Sequence, residues 1–193
     1  MTFEEYRIKA DVVAQYPGRM DKDGIVYCLM GLGGESGELL EKIKKIYRDK
    51  NGTIDEEAKD WLIQEIGDVL WYCSQIYSEL RLPFENFPAI PNNIKEIKDF
   101  QNYIDGDFYD KERTIQQLIR RGFFLLYSAG RLLGDNAYNN HQIKKENMTV
   151  ILYNLVSICI ETGISLEHAA SANIEKLYSR KERGKLQGSG DNR

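Results

Sequence analysis

The stretch IVYCLMGLGGESGELLEKIKKIY, residues 25–47, repeats apolar side chains at the spacing of one helix face. The residues of this stripe lie three, four or seven positions apart: Ile25, Leu29, Leu32, Leu39, Ile43 and Ile46. Residues 61–80 carry a second stripe with the same spacing: Leu62, Ile66, Val69, Cys73, Ile76 and Leu80. We therefore predict two antiparallel amphipathic helices, joined by a short turn in which Thr53 or Asp55 caps the second helix.

The rest of the chain continues this helical pattern. Three of its four prolines fall in residues 81–110, which we predict to be a linker. Further helices are predicted at about 112–133 and 148–162, and a shorter one at about 165–183. No convincing alternating strand pattern competes with them. The predicted fold is all-α, a helical bundle that forms a single domain over residues 1–193.

The bulk composition narrows the classes of function. The chain has 193 residues, of which 42% are hydrophobic, and a net charge of −4, which argues against a broad nucleic-acid surface. No apolar run is long enough to predict a membrane span, and the charged N-terminus does not resemble a signal peptide. Three widely separated cysteines predict buried, reduced thiols, so we expect a cytoplasmic protein. Two histidines are too few for a His-rich zinc site.

Two nearly identical four-residue motifs, ESGE and EIGD, place pairs of carboxylates on the two predicted helices. Glu35 and Glu38 share one helix face, as do Glu65 and Asp68, because three residues rotate a helix by only about 60° from a full turn. Each pair flanks its apolar stripe, so packing of the two stripes would bring the four anions together. Such a cluster needs a cation, and hard oxygen ligands suit Mg²⁺ or Mn²⁺. The alternative is that these are ordinary surface acids.

Each of these carboxylate motifs contains a glycine, Gly37 or Gly67, which costs roughly 1 kcal/mol relative to alanine in a helix. We interpret these glycines as leaving room beside the carboxylates, for close backbone approach or for a bulky ligand.

The segments GLGGESGELLEKIKK and QEIGDVLWY together resemble the MazG-type all-α nucleoside triphosphate pyrophosphohydrolases, whose pattern is E-x-x-E followed by E-x-x-D. The C-terminal segment GISLEHAASANIEKLYSRKERGKLQGSGDNR also resembles the end of that family, with N-x-x-K-L followed by basic residues. The resemblance covers about residues 20–80 and 163–193.

This resemblance implies hydrolysis of a nucleoside triphosphate to the monophosphate and pyrophosphate. It implies that Glu35, Glu38, Glu65 and Asp68 hold Mg²⁺, with Mn²⁺ as a possible substitute, and that Glu35 or Glu38 orients the attacking water. Lys45, Asn173 and Lys176 match family positions that contact the substrate. Four further basic residues would then close over the phosphates: Arg180, Arg183, Lys185 and Arg193. The alternative for these basic residues is a solvated tail.

Two other functions compete with this one. A dUTPase or dCTPase specialisation belongs to the same class of helical enzymes, and the sequence does not reveal the preferred base. A non-catalytic helical regulatory module that retains the metal site belongs to a different class. A pyrophosphate-release assay over a panel of nucleotides distinguishes these alternatives.

An internal comparison divides the chain into a metal-binding helix pair at 20–80 and a degenerate second helix pair at 111–163. The segment ESGELLEK (35–42) aligns with SAGRLLGD (128–135), and the carboxylate positions then correspond to Ser128, Arg131, Asn147 and Val150. None of these four can act as an anionic ligand. We therefore predict a tandem duplication whose second unit has lost the metal, with an unrelated helical insertion as the alternative. Residues 164–193 would form the substrate-contacting helix and tail, and we expect a homodimer.

Overall fold

The structure, a computed structural model, describes residues 1–21, 23–82, 90–106, 114–138 and 145–185. These residues form seven α-helices, and none of them forms a β-strand, which confirms the predicted all-α fold. The helices are α1 (Phe3–Val13), α2 (Gly24–Asp49), α3 (Glu56–Glu79), α4 (Ile97–Gly106), α5 (Ile115–Tyr138), α6 (Lys145–Thr162) and α7 (Leu166–Glu182).

The helices α2 and α3 pack along each other, as the two apolar stripes predict. Helix α3 begins five residues before the predicted stripe, because Asp55 caps it: the Asp55 carboxylate accepts a hydrogen bond of 2.8 Å from the Ala58 amide. The buried residues of α2 include all six members of its predicted stripe. These two packed helices therefore carry both carboxylate motifs.

Helix α1 was not predicted from the sequence. A capping box starts it: the Thr2 hydroxyl accepts from the Glu5 amide, and the Glu5 carboxylate accepts from the Thr2 amide. Its buried residues then face the bundle: Phe3, Tyr6, Ala10 and Val13. Helix α1 has only 11 residues, and charged residues interrupt its apolar ones, so periodicity alone did not identify it.

Helix α4 lies inside residues 81–110, which were predicted to be a linker. It buries Ile97, Phe100 and Ile104, a set of only three apolar positions on one face. This part of the chain therefore contributes to the hydrophobic core as well as connecting its neighbours.

The order of the first three helices is repeated by the next three. Helix α2 packs on α5, α5 pairs with α6 as α2 pairs with α3, and α4 contacts α6 as α1 contacts α3. The starts of α1 and α4 exchange reciprocal hydrogen bonds, each of 3.1 Å: the Phe3 amide donates to the Lys95 carbonyl, and the Ile97 amide donates to the Met1 carbonyl. Such reciprocal contacts are typical of two units related by a local two-fold axis.

Burial follows the same repeat at one constant offset in each pair of helices. In α1 and α4 the matched buried residues are Phe3 with Ile97, Tyr6 with Phe100, and Ala10 with Ile104. In α2 and α5 they are Ile25 with Leu118, Leu32 with Leu125, and Leu39 with Leu132. In α3 and α6 they are Ile66 with Met148, Leu70 with Leu152, and Ile76 with Ile158. A tandem duplication that includes α1 and α4 would produce this regular spacing, and the duplication itself stays a prediction.

Helix α7 stands outside this repeat and packs mainly against α3, with further contacts to α1 and α4. Its hydroxyl cap is Ser165, which accepts from the His168 amide. Because α7 covers the first unit more than the second, it makes the two units different at the position of the carboxylates.

The three cysteines, Cys28, Cys73 and Cys159, are buried and form no disulfide, as predicted. Among the described residues no single helix is both long and apolar enough to cross a membrane. Helices α6 and α7 meet the length and composition only when counted together, across a 105° bend.

Candidate metal centre

Three of the four predicted metal ligands converge between α2 and α3. Glu35, Glu38 and Glu65 each offer a carboxylate oxygen, and these three oxygens lie within 4.8 Å of one another. Glu65 is 3% exposed, Glu35 is half-buried and Glu38 is exposed. Oxygen ligands of one Mg²⁺ span at most about 4.2 Å, so small side-chain rotations would close the group around an ion.

The electrostatics of this group favour a cation. Burial, followed by repulsion from Asp68, Glu38 and Glu65, raises the pKa of Glu35 to about 8, while Lys176 acts in the opposite direction. A carboxylate held among like charges in a partly desolvated position is stabilised by a nearby positive charge. The donor set and its repulsion therefore fit a hard divalent ion.

Burial also raises the pKa of Glu65, and Lys42 opposes that shift. The Lys42 ammonium lies 3.2 Å from Glu65 Oε1, which supplies one positive charge to the most deeply buried carboxylate. Sequence reasoning missed Lys42, although its position seven residues after Glu35 places it on the same face of α2.

Asp68, the fourth predicted ligand, has protein partners. The Lys176 ammonium contacts both oxygens of its carboxylate, at 2.6 and 2.7 Å, and Asn173 Nδ2 donates to Asp68 Oδ1 at 2.7 Å. The Asp68 charge still acts on Glu35, as the shift of the Glu35 pKa indicates. Helix α7 therefore brings two predicted substrate-binding residues to the edge of the carboxylate group.

Helix α1 adds a residue that sequence reasoning missed. The Tyr6 hydroxyl donates a 3.1 Å hydrogen bond to Asn173 Oδ1, and both side chains are buried. Nothing in the segment FEEYRIKADVV distinguishes this tyrosine from an ordinary core residue. Only the packing of α1 against α7 and α3 reveals its link to Asp68.

The two glycines in the carboxylate motifs have different surroundings. A Cβ atom at Gly67 would lie 2.8 Å from Asn173 Cβ and 3.1 Å from the Ala169 carbonyl oxygen, so the absence of a side chain lets α7 approach α3. This agrees with the expected close backbone approach. At Gly37 a Cβ atom would meet no described atom within 4 Å, so that position faces open space.

The remaining basic residues that were predicted to bind substrate have the following surroundings. Lys45 lies 3.6 Å from Glu41 on α2. Arg180 is a buried residue of α7 and therefore not part of a solvated tail, while Arg183 donates to the Ser179 carbonyl at the helix end. Lys185 is exposed. The predicted phosphate contact of Arg193 lies outside the described residues.

The second unit presents no carboxylate group at the corresponding positions. Ser128 and Asn147, which match Glu35 and Glu65, are buried, and Arg131 is exposed. Asn147 Nδ2 has no hydrogen-bond partner among the described residues. The loss of metal from the second helix pair stays a prediction.

Comparison with known proteins shows similarity to a family model and to a phage protein. The family model of the MazG nucleotide pyrophosphohydrolase domain matches residues 27–85, which contain all four carboxylates. The Gene 37 protein of Mycobacterium phage L5 is 47% identical over 83 residues, which are 42% of this chain and 73% of the phage protein. No solved structure matches.

Proposed function

Because the chain belongs to the MazG nucleotide pyrophosphohydrolase family, we propose that it hydrolyses a nucleoside triphosphate to the nucleoside monophosphate and pyrophosphate with the help of Mg²⁺. The observation that carries this proposal is the convergence of Glu35, Glu38 and Glu65 within the segment that matches the family. The non-catalytic alternative would retain the same metal site, so the pyrophosphate-release assay described below distinguishes it from the enzyme.

Glu35, Glu38 and Glu65 would hold the metal ion, and their hard oxygens suit Mg²⁺, with Mn²⁺ as a substitute. When bound, the ion would neutralise charge on the triphosphate and increase the acidity of a water molecule. Glu35 and Glu38 lie one turn apart on α2, so either carboxylate can orient that water and accept its proton. Lys42 limits the repulsion at Glu65, the most buried of the three.

Asp68 and Lys176 would form an ion pair in the free protein and would exchange it for new partners when substrate binds. In the free protein the Lys176 ammonium neutralises Asp68. A triphosphate brings negative charge close to Lys176, which would then move its ammonium to a phosphate oxygen and leave Asp68 to complete the metal ligands. Asn173 would keep its hydrogen bond to Asp68 during this exchange.

Half-buried Lys45 and exposed Arg183 and Lys185 would contribute to phosphate binding from the edge of the site, together with Arg193 at the end of the chain. Their effect should be largest on the triphosphate, which carries the most negative charge. Arg180 is buried in α7, and its contribution would be to hold that helix in place.

A homodimer is proposed from an exposed aromatic face on α5. Phe123 and Tyr127 are 55% and 52% exposed, their rings stack at 6.3 Å, and Arg131 lies over the Tyr127 ring. Contiguous exposed aromatic residues are typical of protein interfaces. Light scattering should give the mass of two chains, and Phe123→Ser with Tyr127→Ser should give one. A wild-type monomer would contradict the proposal.

The experiment that tests the function is a pyrophosphate-release assay with Mg²⁺ over the nucleoside and deoxynucleoside triphosphates, with dUTP and dCTP included. We expect release of pyrophosphate in stoichiometric amounts with the monophosphate. Turnover confined to dUTP or dCTP would identify the specialised form. No release with any nucleotide, in Mg²⁺ or Mn²⁺, would contradict the proposal.

A further inference from the structure

A chain of hydrogen bonds connects α1 with the carboxylate of Asp68. The Tyr6 hydroxyl donates to Asn173 Oδ1 at 3.1 Å, and Asn173 Nδ2 donates to Asp68 Oδ1 at 2.7 Å. Tyr6 is 0% exposed and Asn173 is 3% exposed, so water does not replace these partners easily. The two bonds run across three helices, α1, α7 and α3.

The direction of these bonds gives the Tyr6 hydroxyl a specific effect. An asparagine amide has one accepting end and one donating end, and a half-turn of the group exchanges them. In the observed orientation the donating end faces Asp68. The reversed orientation would place Asn173 Oδ1 against the carboxylate and would leave the Tyr6 hydroxyl facing an N–H group. An ionised carboxylate only accepts, so Asp68 selects the donating end of the amide, and the bond from Tyr6 to the other end holds the side chain in that position.

The repeat within the chain provides an internal comparison for this hydroxyl. Tyr6 in α1 and Phe100 in α4 occupy corresponding buried positions, and both are 0% exposed. The second unit, in which Val150 corresponds to Asp68, therefore fills the same core position with a ring that lacks a hydroxyl. A phenylalanine satisfies the packing of this position. The hydroxyl is present in the unit that has the carboxylates.

The support from Tyr6 matters once Lys176 leaves Asp68, whether a Mg²⁺ ion or a phosphate group separates the pair. In the free protein Lys176 contacts both oxygens of Asp68, so Asn173 is one of two partners. If Lys176 transfers to a phosphate, Asn173 becomes the protein group that orients Asp68 toward the metal. Groups that orient metal ligands in this way commonly change metal affinity when they are removed.

We propose that Tyr6 is a positioning residue of the pyrophosphohydrolase site, which acts through Asn173 to hold the Asp68 carboxylate in place for the metal and the nucleotide. This inference rests on the proposed function and adds a residue from α1, outside the segment that matches the family.

The test compares Tyr6→Phe with a matched control, Tyr16→Phe. The Tyr16 hydroxyl is also largely buried and donates to a carboxylate, Glu79 Oε1 at 2.6 Å, but Glu79 lies at the far end of α3. Calorimetric titration of each protein with Mg²⁺, without nucleotide, measures the dissociation constant directly. We expect Tyr6→Phe to weaken Mg²⁺ binding about tenfold and Tyr16→Phe to leave it unchanged.

Two further variants separate positioning from packing. Asn173→Ala should weaken Mg²⁺ binding at least as much as Tyr6→Phe, and Tyr6→Phe should have no additional effect in the Asn173→Ala background. With nucleotide, Tyr6→Phe should lower kcat more than it raises KM. Asn173→Ala keeps Tyr6, so it tests the inference even if Tyr6→Phe does not fold.

Wild-type Mg²⁺ affinity in Asn173→Ala, additive effects of the two substitutions, or an equal loss in Tyr16→Phe would each overturn the inference. In all three cases the wild-type protein would still release pyrophosphate, so the proposed function would stand. If the wild-type protein neither binds Mg²⁺ nor releases pyrophosphate, the proposed function fails and the role of Tyr6 in it fails as well.

Discussion

At the scale of single residues, Glu35 shows how the candidate metal centre opposes folding. Burial and repulsion by Asp68, Glu38 and Glu65 raise its pKa to about 8, whereas the unfolded chain should titrate near the ordinary value of 4.5. Between these two values the folded protein holds a proton that the unfolded chain has released. The contribution of Glu35 to stability is therefore full below about pH 4.5 and is lost as the pH rises toward 8.

We expect the melting temperature of the metal-free protein to fall between pH 5 and pH 8. Glu35→Gln cannot ionise, so this variant should be more stable than the wild type at pH 8 and should approach it at pH 5. Added Mg²⁺ at pH 8 should stabilise the wild type and have less effect on the variant. Thermal melts in a chelator and in Mg²⁺ measure these differences. A variant that loses stability with pH as steeply as the wild type would contradict this account of Glu35.

Gly67 and Gly37 form a matched pair for a second prediction. A methyl group at residue 67 would lie 2.8 Å from Asn173 Cβ, and overpacking of this kind typically costs about 1–3 kcal/mol, more than the roughly 1 kcal/mol that alanine gains in helix propensity. Gly67→Ala should therefore destabilise the protein. Gly37→Ala meets no described atom within 4 Å and should stabilise it by up to about 1 kcal/mol. Urea unfolding measures both, and equal effects of the two substitutions would refute the explanation.

Residue by residue, the sequence predicted the groups whose chemistry and spacing were both visible. Glu35, Glu38 and Glu65 converge because helical spacing alone places them beside packed stripes. Tyr6 and Lys42 could not be assigned in the same way. Tyrosine is common in protein cores and lysine is common on surfaces, so neither residue type indicates a metal site. Only tertiary packing shows which carboxylate each one supports.

At the scale of helices, a capping motif at the end of α7 marks where the helix stops and the tail begins. Gly184 has a φ of +65°, its amide donates to the Lys181 carbonyl, and the Lys185 amide donates to the Arg180 carbonyl. This is the hydrogen-bond pattern of a Schellman motif. The helix is therefore complete at Lys185, and the residues beyond it can be removed without loss of the cap.

We predict that a chain ending after Lys185 keeps the melting temperature of the full chain to within about 2 °C, because the removed residues contribute none of these capping bonds. Its KM for the triphosphate should rise severalfold, since Arg193 is removed, and this rise should shrink at high salt. Steady-state kinetics at two salt concentrations measure the effect. Unchanged kinetics would show that the tail is solvated and does not contact phosphate.

The helices that the sequence predicted are those with long apolar stripes, α2, α3, α5, α6 and α7. The two that it missed, α1 and α4, are short and bury few residues each. Their positions depend on non-local contacts, including the reciprocal hydrogen bonds between their first residues, and periodicity within one segment does not record such contacts.

At the scale of the whole molecule, two similar three-helix units share one core, and α7 covers the first of them. The internal alignment matched residues of α2 with residues of α5, and the ends of α3 and α6 with each other. It did not match α1 with α4 and instead compared residues 92–97 with 172–177 of α7, because three buried positions are too few for a sequence comparison to detect. Among the described residues, the carboxylate group therefore lies in the first unit, and the second unit supplies packing.

If the group of Glu35, Glu38 and Glu65 holds the metal for nucleoside triphosphate hydrolysis, removing one of its charges should abolish turnover. The most direct measurement is Mg²⁺-dependent pyrophosphate release by Glu38→Gln beside a control, Glu57→Gln. Glu57 is an exposed carboxylate near the start of α3, 2.7 Å from Lys50 and outside the carboxylate group. Glu38→Gln should lose more than about a hundredfold in activity, with a melting temperature at or above that of the wild type because a like-charge repulsion is removed. Glu57→Gln should keep wild-type activity. Wild-type Mg²⁺-dependent release by Glu38→Gln would contradict the account.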